Sequence, residues 1–143
     1  MSRAYSKDDD LETRIRAIEA TTDQRILIHA AKNDKEYEVR QAAVKNIINQ
    51  RILIKIAKKD KHRGVRRTAV ERINDQTVLI KIAKTDKDFI VRIAAVKHIE
   101  DQFVLTWIGR NDNNSEVRWT AAQRISDQDI KEEIIHNIQE RES

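Results

Sequence analysis

Five Asx-Gln dipeptides, Asp23-Gln24, Asn49-Gln50, Asp75-Gln76, Asp101-Gln102 and Asp127-Gln128, recur along this chain at a spacing of 26 residues. A fixed period in this range means that one supersecondary unit is written several times, and that each unit buries its apolar face against its neighbours instead of in a central core. Residues 49–74 and 75–100 agree at 14 of 26 positions, among them Leu-Ile-Lys-Ile-Ala-Lys, Asp-Lys, Val-Arg and Ala-Val. The expected organisation of residues 1–143 is a single repeat domain with an N-terminal cap at 1–22, units at 23–48, 49–74, 75–100 and 101–126, and a C-terminal cap helix at 127–143.

Within each unit the apolar positions predict two helices. After the Asx-Gln pair come Ile26, Leu27, Ala30 and Ala31, matched by Ile52, Leu53, Ile56 and Ala57 and by Val78, Leu79, Ile82 and Ala83. At about 100° per residue these form one amphipathic stripe, here called helix A. The leading Asp or Asn suits an N-cap, where its side-chain oxygen takes an orphan backbone N–H and contributes about 1 kcal/mol. Val39, Ala43, Val44 and Ile47, with Val65, Ala69, Val70, Ile73 and Val91, Ala95, Val96, Ile99, trace a second stripe, helix B. Such short helices do not persist alone in water, so an all-α stack is the expected fold class. Residues 11–22 keep part of the helix B pattern. Residues 128–140 keep the helix A pattern with an acidic face of Glu132, Glu133 and Glu140.

One element does not fit the stripe. Arg40, Arg66, Arg92 and Arg118 follow the helix B valine or its equivalent and fall near the middle of the apolar arc. A buried guanidinium needs a partner, and Asp34, Asp60, Asp86 and Asp112 stand six residues earlier, in the turn between the helices. A ladder of Asp–Arg pairs, within or between units, is therefore expected. Its repetition at constant spacing argues for structure rather than acid/base chemistry. Arg66→Ala is expected to strand Asp60 and to cost more than the roughly 0.2–1 kcal/mol of an exposed pair.

The Asp-x5-Arg spacing, the Val before the Arg and the following Ala-Val/Ala-x-x-Ile resemble the HEAT repeat, and more closely its short bacterial and archaeal HEAT-like variants, over residues 23–126. Lys35, Lys61, Lys87 and Asn113 stand where that family often has proline, and the 26-residue unit is shorter than the usual 40–47. The short unit is also similar to the leucine-rich variant repeat. The resemblance implies an α-solenoid, a right-handed superhelix of stacked two-helix units with helix B lining the concave face, acting as a scaffold. Some alkylpurine DNA glycosylases built from HEAT-like repeats cradle duplex DNA against a basic face.

Two surfaces stand out. Although the net charge is only +4, residues 49–74 carry +7. Lys55, Lys58, Lys59, Lys61, Arg63 and Arg67, extended by Lys84 and Lys87, make a candidate anion or nucleic-acid patch; the bland alternative is a solvated lysine face, and no aromatic residue interleaves it for base stacking. On helix B, Ile90, Ile93 and Trp119 point away from the expected core where the first two units have Glu38, Gly64, Gln41 and Arg67, with Lys97 and Gln123 among the residues around them. This reads either as a protein-binding patch or as packing over the last unit. Phe103 and Trp107 are expected to be core covered by the terminal helix.

Chemistry-bearing patterns are scarce. The four histidines occupy different positions of the unit, cysteine is absent, and Gly64 and Gly109 cannot form a phosphate loop, so no catalytic, cofactor or metal site is expected. No apolar run approaches membrane-spanning length and the first residues lack a signal-peptide core, so a cytoplasmic protein without a membrane partner is expected. The expected activity is non-enzymatic protein–protein scaffolding through helix B, with nucleic-acid binding through the basic face as the alternative.

Overall fold

The computed structural model describes residues 4–142; residues 1–3 and 143, the outermost parts of the expected caps, lie outside the described residues. Among the described residues the chain is all-helical: α1 (Leu11–Ala20), α2 (Gln24–Asn33), α3 (Tyr37–Val44), α4 (Gln50–Lys59), α5 (Arg63–Val70), α6 (Gln76–Thr85), α7 (Phe89–Val96), α8 (Gln102–Asn111), α9 (Ser115–Gln123) and α10 (Gln128–Glu142). Helix A corresponds to α2, α4, α6 and α8, and helix B to α3, α5, α7 and α9. Two compact units emerge, residues 1–73 and 74–143.

The Asx residues start the helices as their chemistry requires. Asn49 accepts from the Ile52 N–H, Asp75 from Val78, and Asp101 from both Phe103 and Val104. Each helix A ends at an extended Asp, and Asp34, Asp60, Asp86 and Asp112 each turn a side-chain oxygen onto the N–H two residues later, at 2.9–3.0 Å. That Asx turn redirects the chain into helix B after a three-residue link.

In the first unit α2 packs on α3 and α4 on α5, while α1 and α5 flank α3. Leu27, Val39, Val44, Leu53 and Val65 are completely buried between them. Each large aliphatic so placed stabilises the fold by about 1.5–3 kcal/mol, which the short helices could not supply alone. In the second unit α6 packs on α7 and α8 on α9, and α9 lies between α7 and α10. Helix B is shorter than its apolar stripe: α3, α5 and α7 stop at Val44, Val70 and Val96, and Ile47, Ile73 and Ile99 are buried in the turn that follows.

The Gln that opens each helix A from α2 to α8 bonds that turn. The Gln24 amide donates to the Asn46 carbonyl and accepts from the Ile48 N–H, both at 2.9 Å. Gln76 does the same with His98 and Glu100, and Gln102 with Arg124 and Ser126. One primary amide thus supplies a donor and an acceptor to backbone groups that have left the helix.

The buried arginines pair forward. Arg40 Nε donates to Asp60 Oδ2 at 3.0 Å and its Nη2 to Oδ1 at 3.2 Å; Arg92 engages Asp112 in the same way at 3.0 and 3.1 Å. The third edge of each fork turns back, with Nη1 donating to the carbonyl of the Asp six residues earlier. Arg14 extends the pattern into the N-terminal helix, with its Nε 3.1 Å from Asp34 Oδ2. The expectation for Arg66→Ala is corrected accordingly. The Asp60 carboxylate is held by Arg40, and what Arg66 meets of Asp60 is its backbone carbonyl, at 2.9 Å. Arg40→Ala is the change that strands Asp60, and loss of one partner of a buried pair costs roughly 3–5 kcal/mol. The urea midpoint of Arg40→Ala should fall accordingly; a midpoint within error of wild type would show that the pair contributes nothing. Gln102→Ala, losing two exposed hydrogen bonds of roughly 0.5–1.5 kcal/mol each at most, should fall less.

Candidate interaction surfaces

In the first unit, α4 presents Lys55, Lys58 and Lys59 to solvent because they lie opposite the stripe of Leu53, Ile56 and Ala57. Lys55 and Lys59, one turn apart, line a groove of about 300 Å³ shared with Ala31 and Lys32 of α2, Ile56 and Asp60. Lys32 escaped the sequence reading because it belongs to a different copy of the unit; packing of α2 on α4 brings it in. Asp60 at the edge is spoken for by Arg40, so the groove is net positive.

Other members of the expected patch are placed differently. Lys61 and Arg63 are exposed in and after the inter-helix turn, but Arg67 is 3.2 Å from Glu71 one turn on, an exposed pair that lowers its availability. His62, between Lys61 and Arg63, N-caps α5 by accepting the Gly64 N–H at 3.0 Å, and its ring stacks flat on Tyr37 at 3.7 Å. A Cβ at position 64 would meet that ring at 3.0 Å, a tight contact that the His62 side chain would have to relieve by shifting. Lys84 and Lys87 belong to the second unit, and the Lys84 ammonium sits 4.9 Å above the Trp107 ring in a cation–π contact.

In the second unit, Ile93 and Lys97 on and just after α7 correspond to Trp119 and Gln123 on α9, the helix packed against it. Trp119 is 45% exposed, Lys97 and Gln123 are exposed, and Ile90 and Ile93 are half-buried. The corresponding residues of the first unit, Gln41 and Arg67, are polar and engage Thr68 and Glu71. Arg124, beside Gln123, turns inward and donates to the Ile99 carbonyl at 2.9 Å.

Phe103 and Trp107 are not core. Phe103 is 91% and Trp107 48% exposed. They occupy the positions of Arg25, Arg51 and Thr77 and of His29, Lys55 and Lys81, which face solvent in every copy. The terminal helix α10 docks elsewhere, packing chiefly on α9 and burying Ile134 and Ile138, with Ile134 so close to Gly109 that a Cβ there would meet it at 3.1 Å.

Among the described residues no group of acidic, histidine or cysteine side chains is arranged to hold a metal ion, and no helix is long and apolar enough to cross a membrane. No family model, no curated protein and no solved structure matches this chain.

The Tyr5 hydroxyl donates to Asp34 Oδ2 at 2.7 Å. Burial, then that hydrogen bond, then the Asp34 charge push its pKa from 10.0 up to about 12. Because the folded state holds this proton more tightly, Tyr5 stabilises fully below about pH 10, and the contribution is lost as pH rises towards 12. A spectrophotometric titration of wild type minus Tyr5→Phe should show one phenolate forming near pH 12. A midpoint at the ordinary phenol value would mean that Tyr5 does not dock on Asp34.

Proposed function

We propose that this chain is a non-enzymatic HEAT-like α-solenoid, a right-handed stack of two-helix units, that scaffolds a protein–protein interaction from the cytoplasm. The observation that carries this reading is the exposure of Phe103, Trp107 and Trp119 in the second unit, at positions where the other two-helix copies have Arg, Thr, His, Lys or Gln and, at the Trp119 position of one copy, Ile93. The fold does not need aromatic groups there, and exposing them to water is unfavourable unless something covers them. Aromatic anchors ringed by polar groups such as Lys97 and Gln123 are the composition of an interface hot spot. The primary contact is the helix B face around Trp119, Ile93 and Ile90. Phe103 and Trp107 form a second anchor on α8.

The groove between Lys32, Lys55 and Lys59 supports a second reading, nucleic-acid binding in the first unit. It offers charge but no stacking platform, since Tyr37 is already stacked on His62. Neutralising about five phosphates would give a slope of log K against log[salt] near −4.5.

A photo-crosslinking residue placed at position 103 or 119 should capture a discrete protein partner, whereas one at position 58 should not. Trp119→Ala with Ile93→Ala should change stability by only about 1 kcal/mol, these side chains being partly exposed, and abolish recovery of that partner. Recovery unchanged in this variant and in Phe103→Ala with Trp107→Ala discards the reading. Steeply salt-dependent binding of duplex DNA or single-stranded RNA that disappears in Lys32→Glu with Lys55→Glu would establish the second in its place.

A further inference from the structure

The arginine pattern stops short at its C-terminal end. Arg118 occupies the position of Arg40 and Arg92, is only 6% exposed, and turns Nη1 back to the Asp112 carbonyl at 2.7 Å as they do to their own aspartates. For Arg40 and Arg92 the remaining edge of the fork, Nε with Nη2, is filled by the carboxylate twenty residues ahead. The residue twenty ahead of Arg118 is Ile138, and α10 runs on as helix to Glu142 where the preceding helices A end in an Asp turn. Arg118 Nε is consequently buried without a hydrogen-bond partner.

That guanidinium is not sealed in apolar packing. It lines a half-open cavity of about 230 Å³ between α8, α9 and α10, together with Gly109, Arg110, Asn137 and Arg141. Glu133 also borders it, but its carboxylate is committed to Arg110 at 2.9 Å. Three arginines against one acid leave the lining net positive. A buried guanidinium edge with no acceptor is costly, and an apolar filler would not relieve it.

We propose that this cavity is a binding site for a carboxylate group, held by the Nε and Nη2 edge of Arg118 where Asp60 and Asp112 sit in the pairs of Arg40 and Arg92. Arg110 and Arg141 supply further positive charge, and the Asn137 amide supplies a neutral donor. A planar carboxylate matches the side-by-side donors of this edge in two parallel hydrogen bonds. The cavity volume admits a small dicarboxylate or the last residue of a peptide; the shared chemistry is the carboxylate. The site does not depend on the protein-partner reading above, since it uses neither Trp119 nor Phe103.

Isothermal titration of the full chain with glutarate should give saturable binding, while glutaramide, which has the same length without the charge, should give none. Tripeptides with free and amidated C-termini distinguish the sources: binding of the free form only, and more tightly than glutarate, assigns a peptide end, whereas glutarate binding without peptide binding assigns a free small acid. Arg118→Met should weaken glutarate at least about tenfold, the loss of one charge-assisted hydrogen bond or more. Asn137→Asp, which places a carboxylate in the cavity from the chain itself, should raise the melting temperature and exclude glutarate. In the free protein Arg118→Met should not lower the melting temperature as Arg40→Met does, because no carboxylate is stranded. Absence of saturable glutarate and peptide binding to wild type, or equal binding to wild type and Arg118→Met, overturns the proposal.

Discussion

A guanidinium placed in the middle of a buried apolar stripe is the constraint from which the rest of this structure follows. Arg14, Arg40, Arg66, Arg92 and Arg118 are all at least nine-tenths buried, and every hydrogen-bonding edge of such a group left unoccupied is costly. Occupying these edges takes a carbonyl from the chain's own turn and, for Arg14, Arg40 and Arg92, a carboxylate from the next helix pair. The same aspartate that receives the fork also bends its own chain from helix A to helix B. Turn geometry and stacking register are thus set by one side chain. Replacing such a pair by hydrocarbon need not weaken a fold, so its value lies in register. A stack of apolar helices could slide by a turn at small cost, but sliding here would leave a buried fork facing Ala or Val.

The hydrogen-bonding of the turns complements this. Helices of eight to ten residues leave a large share of their backbone groups unsatisfied at the ends. Asx caps serve the N-termini of helix A, while the Gln clasps serve the turns after helix B. Arg72 and Arg124 reach back to carbonyls of the preceding pair, Arg72 to Val44 and Ile47 and Arg124 to Ile99. Helix ends that depend on the neighbouring pair tie the short elements into cooperative units.

Much of this was legible in the sequence because a repeat shows each position several times. The Asx caps, the two stripes and the buried Arg and turn Asp could all be placed from it. The direction of pairing could not. In an array with a period of 26 residues, a partner six positions back and one twenty positions ahead have the same pattern, and only the packing distinguishes them. Phe103 and Trp107 illustrate the opposite case, where the signal existed. Their equivalents Arg51, Thr77, Lys55 and Lys81 already marked those positions as solvent-facing, and the size of an aromatic side chain does not override register. Lys32 joined Lys55 and Lys59 only through packing of α2 on α4, a relation between copies that no spacing within one copy reveals.

Formal charge is likewise a poor guide to the surface. Residues 49–74 sum to +7, yet Arg66 is buried, Arg67 faces Glu71, and Arg72 is turned onto backbone carbonyls. What an anion in solution meets is a set of exposed lysines with Arg51 and Arg63, and of the basic residues of this stretch the groove draws only Lys55 and Lys59. Arg66 and Arg72 are consumed by the architecture, and the lysines are left for the solvent. The second unit reverses the economy: its charge is nearly balanced over residues 75–126, and its variation has gone into aromatic residues at exposed positions. Both units obey the same structural rules at the buried positions. They differ where those rules are silent, and that is where residues are free to vary with what the protein binds.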